Sequence, residues 1–361
     1  MTIDGNPLRR LQQLGQSVWV NMQSLDLLAS GTLRRLIEDD GVSGVISALP
    51  LEITSETPAM ARGAGMQRQA LADAIEMADL LAPVYRGSGG SNGFISLELA
   101  SHQTSSPEAI VEGARALWAA ANRQNIMVKV PASKAGLPAI RRLIADGINV
   151  NACMIFSVDR YWDVAEAYLS GLEARQCAGE AIGQVNSVAS FSLARIDAYL
   201  DHRISYISQG AASRNARAVS LAGKAAIASA KMAYRDFRLD MQRRRFQELA
   251  RKDAQPQRLL WDTAGAANAE AAIRYVEPLI GPDTICALSP DTFEAYRMLG
   301  HPMPMLNKGF AEADGVLADL SEMGINVSNI AHALEVETMY SAFTTSDGRN
   351  PDPAPVLQLR R

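Results

Sequence analysis

Cysteine is scarce in this chain. The three that occur, Cys153, Cys177 and Cys286, are far apart and form no CxxC pair. An odd and scattered set indicates neither a disulfide framework nor a zinc site, and it fits a reducing compartment. Histidine is almost as sparse, and His102, His202, His301 and His332 are spread along the chain. No run approaches the roughly 18 apolar residues of a membrane span, and the opening "MTIDGNPLRR" lacks a basic segment followed by an apolar core. The expectation is a soluble, cytoplasmic protein without a membrane partner.

An excess of positive charge is missing too. The formal net charge is −4, so no broad basic field exists to hold a nucleic-acid backbone, and no nucleic-acid partner is expected. The local cluster "RRRF", Arg243 to Phe246, reads as a solvated helix face. Phosphate-binding loops of the G-x-x-x-x-G-K-[ST] type are absent. The glycine-rich "RGSGGSNG", Arg86 to Gly93, precedes a strand instead of joining strand to helix, which is the wrong order for a dinucleotide site.

What the chain does have is alternation. Eight β-prone runs recur: "QSVWVN", "GVISA", "GFISLEL", "IMVKV", "INVNACMIF", "VNSVASF", "RLLWDT" and "TICAL". Eight helix-like segments accompany them, among them "LADAIEMADLLAPVY", "PEAIVEGARALWAAANRQ", a long "AVSLAGKAAIASAKMAYRDFRLDMQRRRFQEL" and "NAEAAIRYVEPLIG". This order predicts a single α/β domain, a (β/α)8 TIM barrel over residues 1–340, with chemistry at the C-terminal strand ends. An open doubly wound sheet is the competing arrangement. The proline-rich residues 341–361 read as an irregular tail.

Lys129 stands inside the apolar run "IMVKV", and Glu98 inside "ISLEL". A lysine there either reaches solvent from an edge strand or is held inside the barrel. In the second case desolvation is expected to lower its pKa from about 10.4 and make it a nucleophile for carbonyls, giving a Schiff base. Glu98 then relays protons to and from the carbinolamine oxygen, or it serves only as a structural ion pair with Lys129.

The ordered motifs "GQSVW", "IEDDGVSGV", "SLEL", "VKVPASKAGLPAI", "GINVNACMIFS", "VASFSLARID", "GKAAIASAKMAY" and "VEPLIGPDT" resemble the transaldolases, specifically their longer bacterial branch, from about Asn6 to about Leu334. The resemblance implies a class I aldolase-like barrel. Its lysine Schiff base moves a dihydroxyacetone unit between sugar phosphates with no metal and no organic cofactor. It makes Lys129 the Schiff-base lysine and Glu98 the acid acting through water. Asn151 matches the asparagine that contacts the bound unit's hydroxyls, and Ser190 and Arg195 match the substrate and phosphate end.

Several positions depart from the family pattern. Asn21 stands in "WVN" where the family has an aspartate that takes the substrate's C4 hydroxyl proton, and an amide is no such base. Ile46, Ala48 and Leu49 replace the polar residues of the second strand. Cys153 replaces a threonine and reads as a small pocket-lining residue. "TAGAAN", Thr263 to Asn268, replaces S-T-S-T-K-N, so Ala267 stands in place of a phosphate-facing lysine, while Thr263 here and Ala48 on the second strand are carried over as substrate contacts.

The favoured expectation is a transaldolase-like enzyme with Schiff-base chemistry on a different, less polar carbonyl substrate of specialised metabolism. The alternatives are an ordinary transaldolase and a non-catalytic barrel. A homodimer is one assembly that outer helices allow.

Overall fold

The computed structural model describes residues 5–22, 31–52, 64–207, 217 and 219–346. Eight parallel strands close into one barrel in chain order: β1 (Gln16–Met22), β2 (Gly44–Leu51), β3 (Phe94–Leu99), β4 (Ile126–Pro131), β5 (Val150–Ile155), β6 (Ser187–Ser192), β7 (Arg258–Asp262) and β8 (Thr284–Leu288). Closure comes from β1 pairing with β8, Trp19 opposite Ala287. All eight strands expected from the sequence are present. The open sheet is ruled out, because no strand has a free edge.

Side chains alternate along each strand, and here both faces are apolar. Trp19, Ile46, Phe94, Met127, Val188, Leu260, Ile285 and Ala287 form one buried cluster, drawn from every strand except β5. Their strand neighbours Val18, Val45, Ile95, Val128, Leu259 and Cys286 belong to the larger core under the helices. The inner cluster therefore fills the barrel as packed side chains. Below it, the guanidinium of Arg258 donates to Ser17 Oγ (2.5 Å), the Ser91 and Thr284 carbonyls (2.8 and 2.9 Å) and Asn92 Oδ1 (3.1 Å). Burial lowers its pKa to about 10.

The helices are α1 (Pro7–Gln13), α2 (Thr32–Asp40), α3 (Ala64–Gly87), α4 (Pro107–Ala121), α5 (Gly136–Ala145), α6 (Val158–Cys177), α7 (Leu193–Ile207), α8 (Ala225–Gln242), α9 (Arg244–Ala250), α10 (Ala269–Ile273), α11 (Pro290–Leu299), α12 (Phe310–Glu322) and α13 (Val327–Ser346). Several start where a serine meets a loop end. Ser106, Ser157 and Ser289 accept from Ala109 N, Arg160 N and Thr292 N, capping α4, α6 and α11. No helix among the described residues is long and apolar enough to cross a membrane.

Two helical expectations change. The long segment ending "QRRRFQEL" is not one helix, because Arg243 takes an extended conformation (φ −68°, ψ 144°) between α8 and α9. The break turns Phe246 and Leu249 into the core and sends Arg245 to Glu166 and Glu173 on α6. The "RRRF" cluster is thus neutralised by carboxylates, with Arg243 on Asp240 and Arg244 on Glu248. "NAEAAIRYVEPLIG" forms only α10 and a 3-10 turn at Glu277–Leu279, where Pro278 supplies no backbone N–H to continue a helix.

The three helices after β8 carry no strong signal in the sequence, and polar contacts tie two of them to the barrel. Lys231 of α8 donates to the Met305 and Lys308 carbonyls just before α12 (3.0 and 2.6 Å), and Arg160 of α6 forks onto Glu335 of α13 (2.7 and 2.9 Å). Residues 341–346, expected as the start of an irregular tail, are the end of α13, while 347–361 lie outside the described residues.

Gly44 shows how tightly the interior is filled. It pairs with Trp19 across β1 and β2, and a Cβ there would run into the indole. Gly44→Ala is expected to overpack the barrel and lower stability by about 1–3 kcal/mol, read as a lower urea midpoint at unchanged slope. An unchanged midpoint would show that the indole has room to move.

Candidate active site

The site rests on strand register. Glu98 of β3 pairs with Lys129 of β4, and Lys129 with Asn151 of β5. On parallel neighbours, residues in register on one face point the same way, so all three enter the barrel together. Lys129 Nζ donates to Glu98 Oε2 at 2.7 Å. The lysine side chain is 19% exposed and the glutamate 40%, so the pair lies at the rim of the packed interior, open on the acid's side. Lys129 is therefore an inward-facing residue of a closed barrel.

One electrostatic expectation is corrected here. Burial does oppose the ammonium, and it is the largest single influence, but the Glu98 carboxylate above all, with Asp262, overrides it and holds the Lys129 pKa above its ordinary value. In the free protein Lys129 is a charged partner of Glu98.

Asn151 is fully buried. Its Nδ2 donates to Ser96 Oγ at 2.9 Å, and Ser190 Oγ donates to its Oδ1 at 2.6 Å. Asn151 and Ser190 thus form a fixed polar layer across β3, β5 and β6. Ser96 is its third member; the sequence alone does not single it out, although it shares the parity of Glu98 in "FISLEL". β5 bulges after Ala152, where its pairing with β6 shifts, and Met154 adopts a left-handed φ of 62°. Cys153 at this bulge is partly exposed beside Lys129, and burial first of all pushes its thiol up to about 12. At neutral pH it is a thiol, which fits a pocket-lining residue and not a nucleophile.

Asn21 has a partner that the sequence does not announce. Its Nδ2 donates to Asp262 Oδ1 at 2.9 Å, from β1 to β7 across the intervening β8. Asp262 ends "RLLWD" with the same parity as Arg258 and Leu260, and a charged residue closing an apolar run is the signal that picks out Glu98 and Lys129. The neighbouring Thr263, carried over as a substrate contact, is buried and spends its hydroxyl on the Ala287 carbonyl at 2.9 Å. Asp262, not Thr263, is the residue of this strand end that meets another site side chain.

The remaining positions are spread around the mouth. Arg195, in the first turn of α7, lies 6.0 Å over the Phe156 ring, and a Cβ on Gly265 would sit 3.5 Å from its side chain. Its stem thus borders the loop that follows β7. Ala267 of that loop is exposed. Ile46 is 5% exposed and belongs to the inner apolar cluster. Ala48 lies on β2, but its side chain is outside the described residues. His102 is turned to Glu52 (3.2 Å), both exposed. Among the described residues no group of three or more His, Cys, Asp or Glu is placed to hold a metal ion.

The Lys129 charge state can be tested directly. Trinitrobenzenesulfonate takes only neutral amines, so at pH 8 wild-type Lys129 is expected to react more slowly than exposed Lys252. In Glu98→Gln the lysine loses its main raising partner and burial dominates. Its pKa falls, and labelling accelerates by about tenfold per pH unit of that fall. An unchanged rate would mean that Glu98 does not control the proton on Lys129.

Comparison with known proteins agrees with this geometry. A sequence model of the transaldolase/fructose-6-phosphate aldolase family matches residues 53–346. A transaldolase of Thiobacillus denitrificans is 34% identical over 95% of this chain and the whole of the relative. Transaldolase 2 of Nostoc sp. is 34% identical over 89% of each chain. Transaldolase 1 of Streptomyces coelicolor is 34% identical over 93% of this chain and 91% of its own. With a closed eight-stranded barrel and a match over most of its length, the chain belongs to the transaldolase/fructose-6-phosphate aldolase family.

Proposed function

We propose that this protein is a Schiff-base transferase of the transaldolase type, moving a ketose-derived unit from a sugar phosphate donor to an aldehyde acceptor. The observation that carries the reading is the 2.7 Å Lys129–Glu98 contact between in-register strands at the barrel's C-terminal end. Transfer of the Lys129 proton to Glu98 frees the amine to attack the ketone carbon. Protonated Glu98 returns that proton to the carbonyl oxygen as the carbinolamine forms, then carries a second proton from the carbinolamine nitrogen to the hydroxyl, which leaves as water as the iminium forms. After the carbon–carbon bond breaks, the enamine stays on Lys129 until the acceptor aldehyde takes it up. Water and Glu98 then reverse the first steps and release the new ketose.

The polar layer under the lysine supports a hydroxylated substrate. Asn151, Ser96 and Ser190 are hydrogen-bonded to one another, which spends the Ser190 hydroxyl proton and fixes the direction of the Ser96 hydroxyl and the second Asn151 N–H, the donors left for a ligand. Arg195 supplies the cation for a phosphate. A second reading, a less polar carbonyl substrate from specialised metabolism, draws on the apolar Ile46 and on exposed Ala267 where the family pattern has a lysine. The family assignment and the transaldolase names of the relatives favour the first reading.

Borohydride added during incubation with fructose 6-phosphate is expected to fix a covalent adduct on Lys129, absent in Lys129→Ala. With erythrose 4-phosphate as acceptor, turnover on the order of 1–10³ s⁻¹ supports the first reading. Trapping of non-phosphorylated ketones in preference to sugar phosphates supports the second. No adduct with any carbonyl compound tested would overturn both.

A further inference from the structure

We propose that Asp262 is the base for carbon–carbon bond cleavage and formation, and that Asn21 is the positioning residue that holds its carboxylate toward the substrate. The proposal rests on the Schiff-base reading above and supplies its missing step. Cleaving an aldol bond requires a group that takes the proton of the hydroxyl on the departing carbon. Glu98 is committed to the nitrogen side of the reaction by its contact with Lys129. Asn21 is an amide and has no basicity to offer.

Asp262 has the required chemistry and setting. Its Oδ1 accepts two hydrogen bonds, from Asn21 Nδ2 at 2.9 Å and from Ala264 N at 3.0 Å. Among the described residues Oδ2 has no hydrogen-bond partner, and the residue is only partly buried. One oxygen is thus anchored while the other is left for a ligand. The reach across β8 is made possible by Ala287, an inward-facing methyl that pairs with Asp262 on one side and Trp19 on the other. A larger side chain there would stand between β1 and β7. Asp262 is also close enough to act on the charges of Lys129 and Cys153, which puts it in the same mouth as the nucleophile.

The step balances without an outside reagent. In the donor iminium, Asp262 takes the C4 hydroxyl proton and the O–H electron pair forms the aldehyde carbonyl. The C3–C4 pair becomes the enamine double bond, and the former C=N pair returns to the Lys129 nitrogen. In the reverse direction the enamine carbon attacks the acceptor aldehyde, and Asp262 gives its proton to the new alkoxide.

The roles separate experimentally because imine formation needs Lys129 and Glu98 but no base at C4. Asp262→Asn is expected to trap dihydroxyacetone with borohydride within about threefold of wild type. Release of glyceraldehyde 3-phosphate from fructose 6-phosphate should fall by about 10²–10⁴. The exchange variant Asn21→Asp/Asp262→Asn keeps one amide and one carboxylate facing each other, and it should recover part of the lost cleavage. Asp262→Asn cleaving within about threefold of wild type would overturn the proposal while leaving the Schiff-base reading intact. A wild-type protein that forms no adduct or cleaves no ketose phosphate would overturn that reading and this one with it. If Asp262→Asn fails to fold, the exchange variant decides, and a folded exchange variant without cleavage counts against the proposal.

Discussion

The hydrogen bond between Lys129 and Glu98 is the contact on which the rest of the site depends, and it is a product of strand register. Glu98 and Lys129 are opposite each other because β3 and β4 pair without a bulge from Ile95–Ile126 to Glu98–Lys129. Slipping either strand by one residue would turn its charged side chain out under the helices and leave the other without a partner. The packed interior below, from Trp19 to Ala287, resists such a slip. A buried ammonium with no carboxylate beside it would carry a desolvation cost that only loss of its proton relieves. With Glu98 in place the charge is kept, and the lysine has a proton acceptor already in contact.

Two carboxylates at one barrel mouth do different work because of what holds them. Glu98 is bound to a cation. Asp262 is held through one oxygen by an amide and a backbone N–H, which leaves its other oxygen as an acceptor for whatever else enters. The polar layer of Ser96, Asn151 and Ser190 lies on the opposite side, across β3, β5 and β6. The mouth around Lys129 is thus bordered by neutral hydrogen-bonding groups on one wall and a carboxylate on the other.

Much of this is legible in the linear sequence, for a physical reason. Strands buried on both faces leave β-branched runs, and a charged residue inside such a run, as at Lys129 or Glu98, must point into the barrel or carry the cost of its burial. Whatever depends on closure is not legible. Asn21 and Asp262 are 241 positions apart and meet only because β8 lies between β1 and β7. Along the chain Asn21 stands as a lost acid; in the barrel it faces one. The direction in which the Lys129 pKa moves is hidden for the same reason, because desolvation can be guessed from an apolar run but the competing partners lie on other strands. Arg243 breaks a helix that has periodicity throughout, since tertiary pairing of Arg245 with Glu166 and Glu173 outweighs local propensity.

The amide-to-carboxylate contact across β8 also constrains how this barrel can change over evolutionary time. A carboxylate at both positions 21 and 262 would set two like charges at hydrogen-bond distance, forcing them to share a proton, and an amide at both would leave that wall without a base. Ala287 is the third member of that unit, because any bulkier residue on β8 would break the line between them. Among descendants of this chain, substitutions at these three places are expected to covary even though they lie on three different strands.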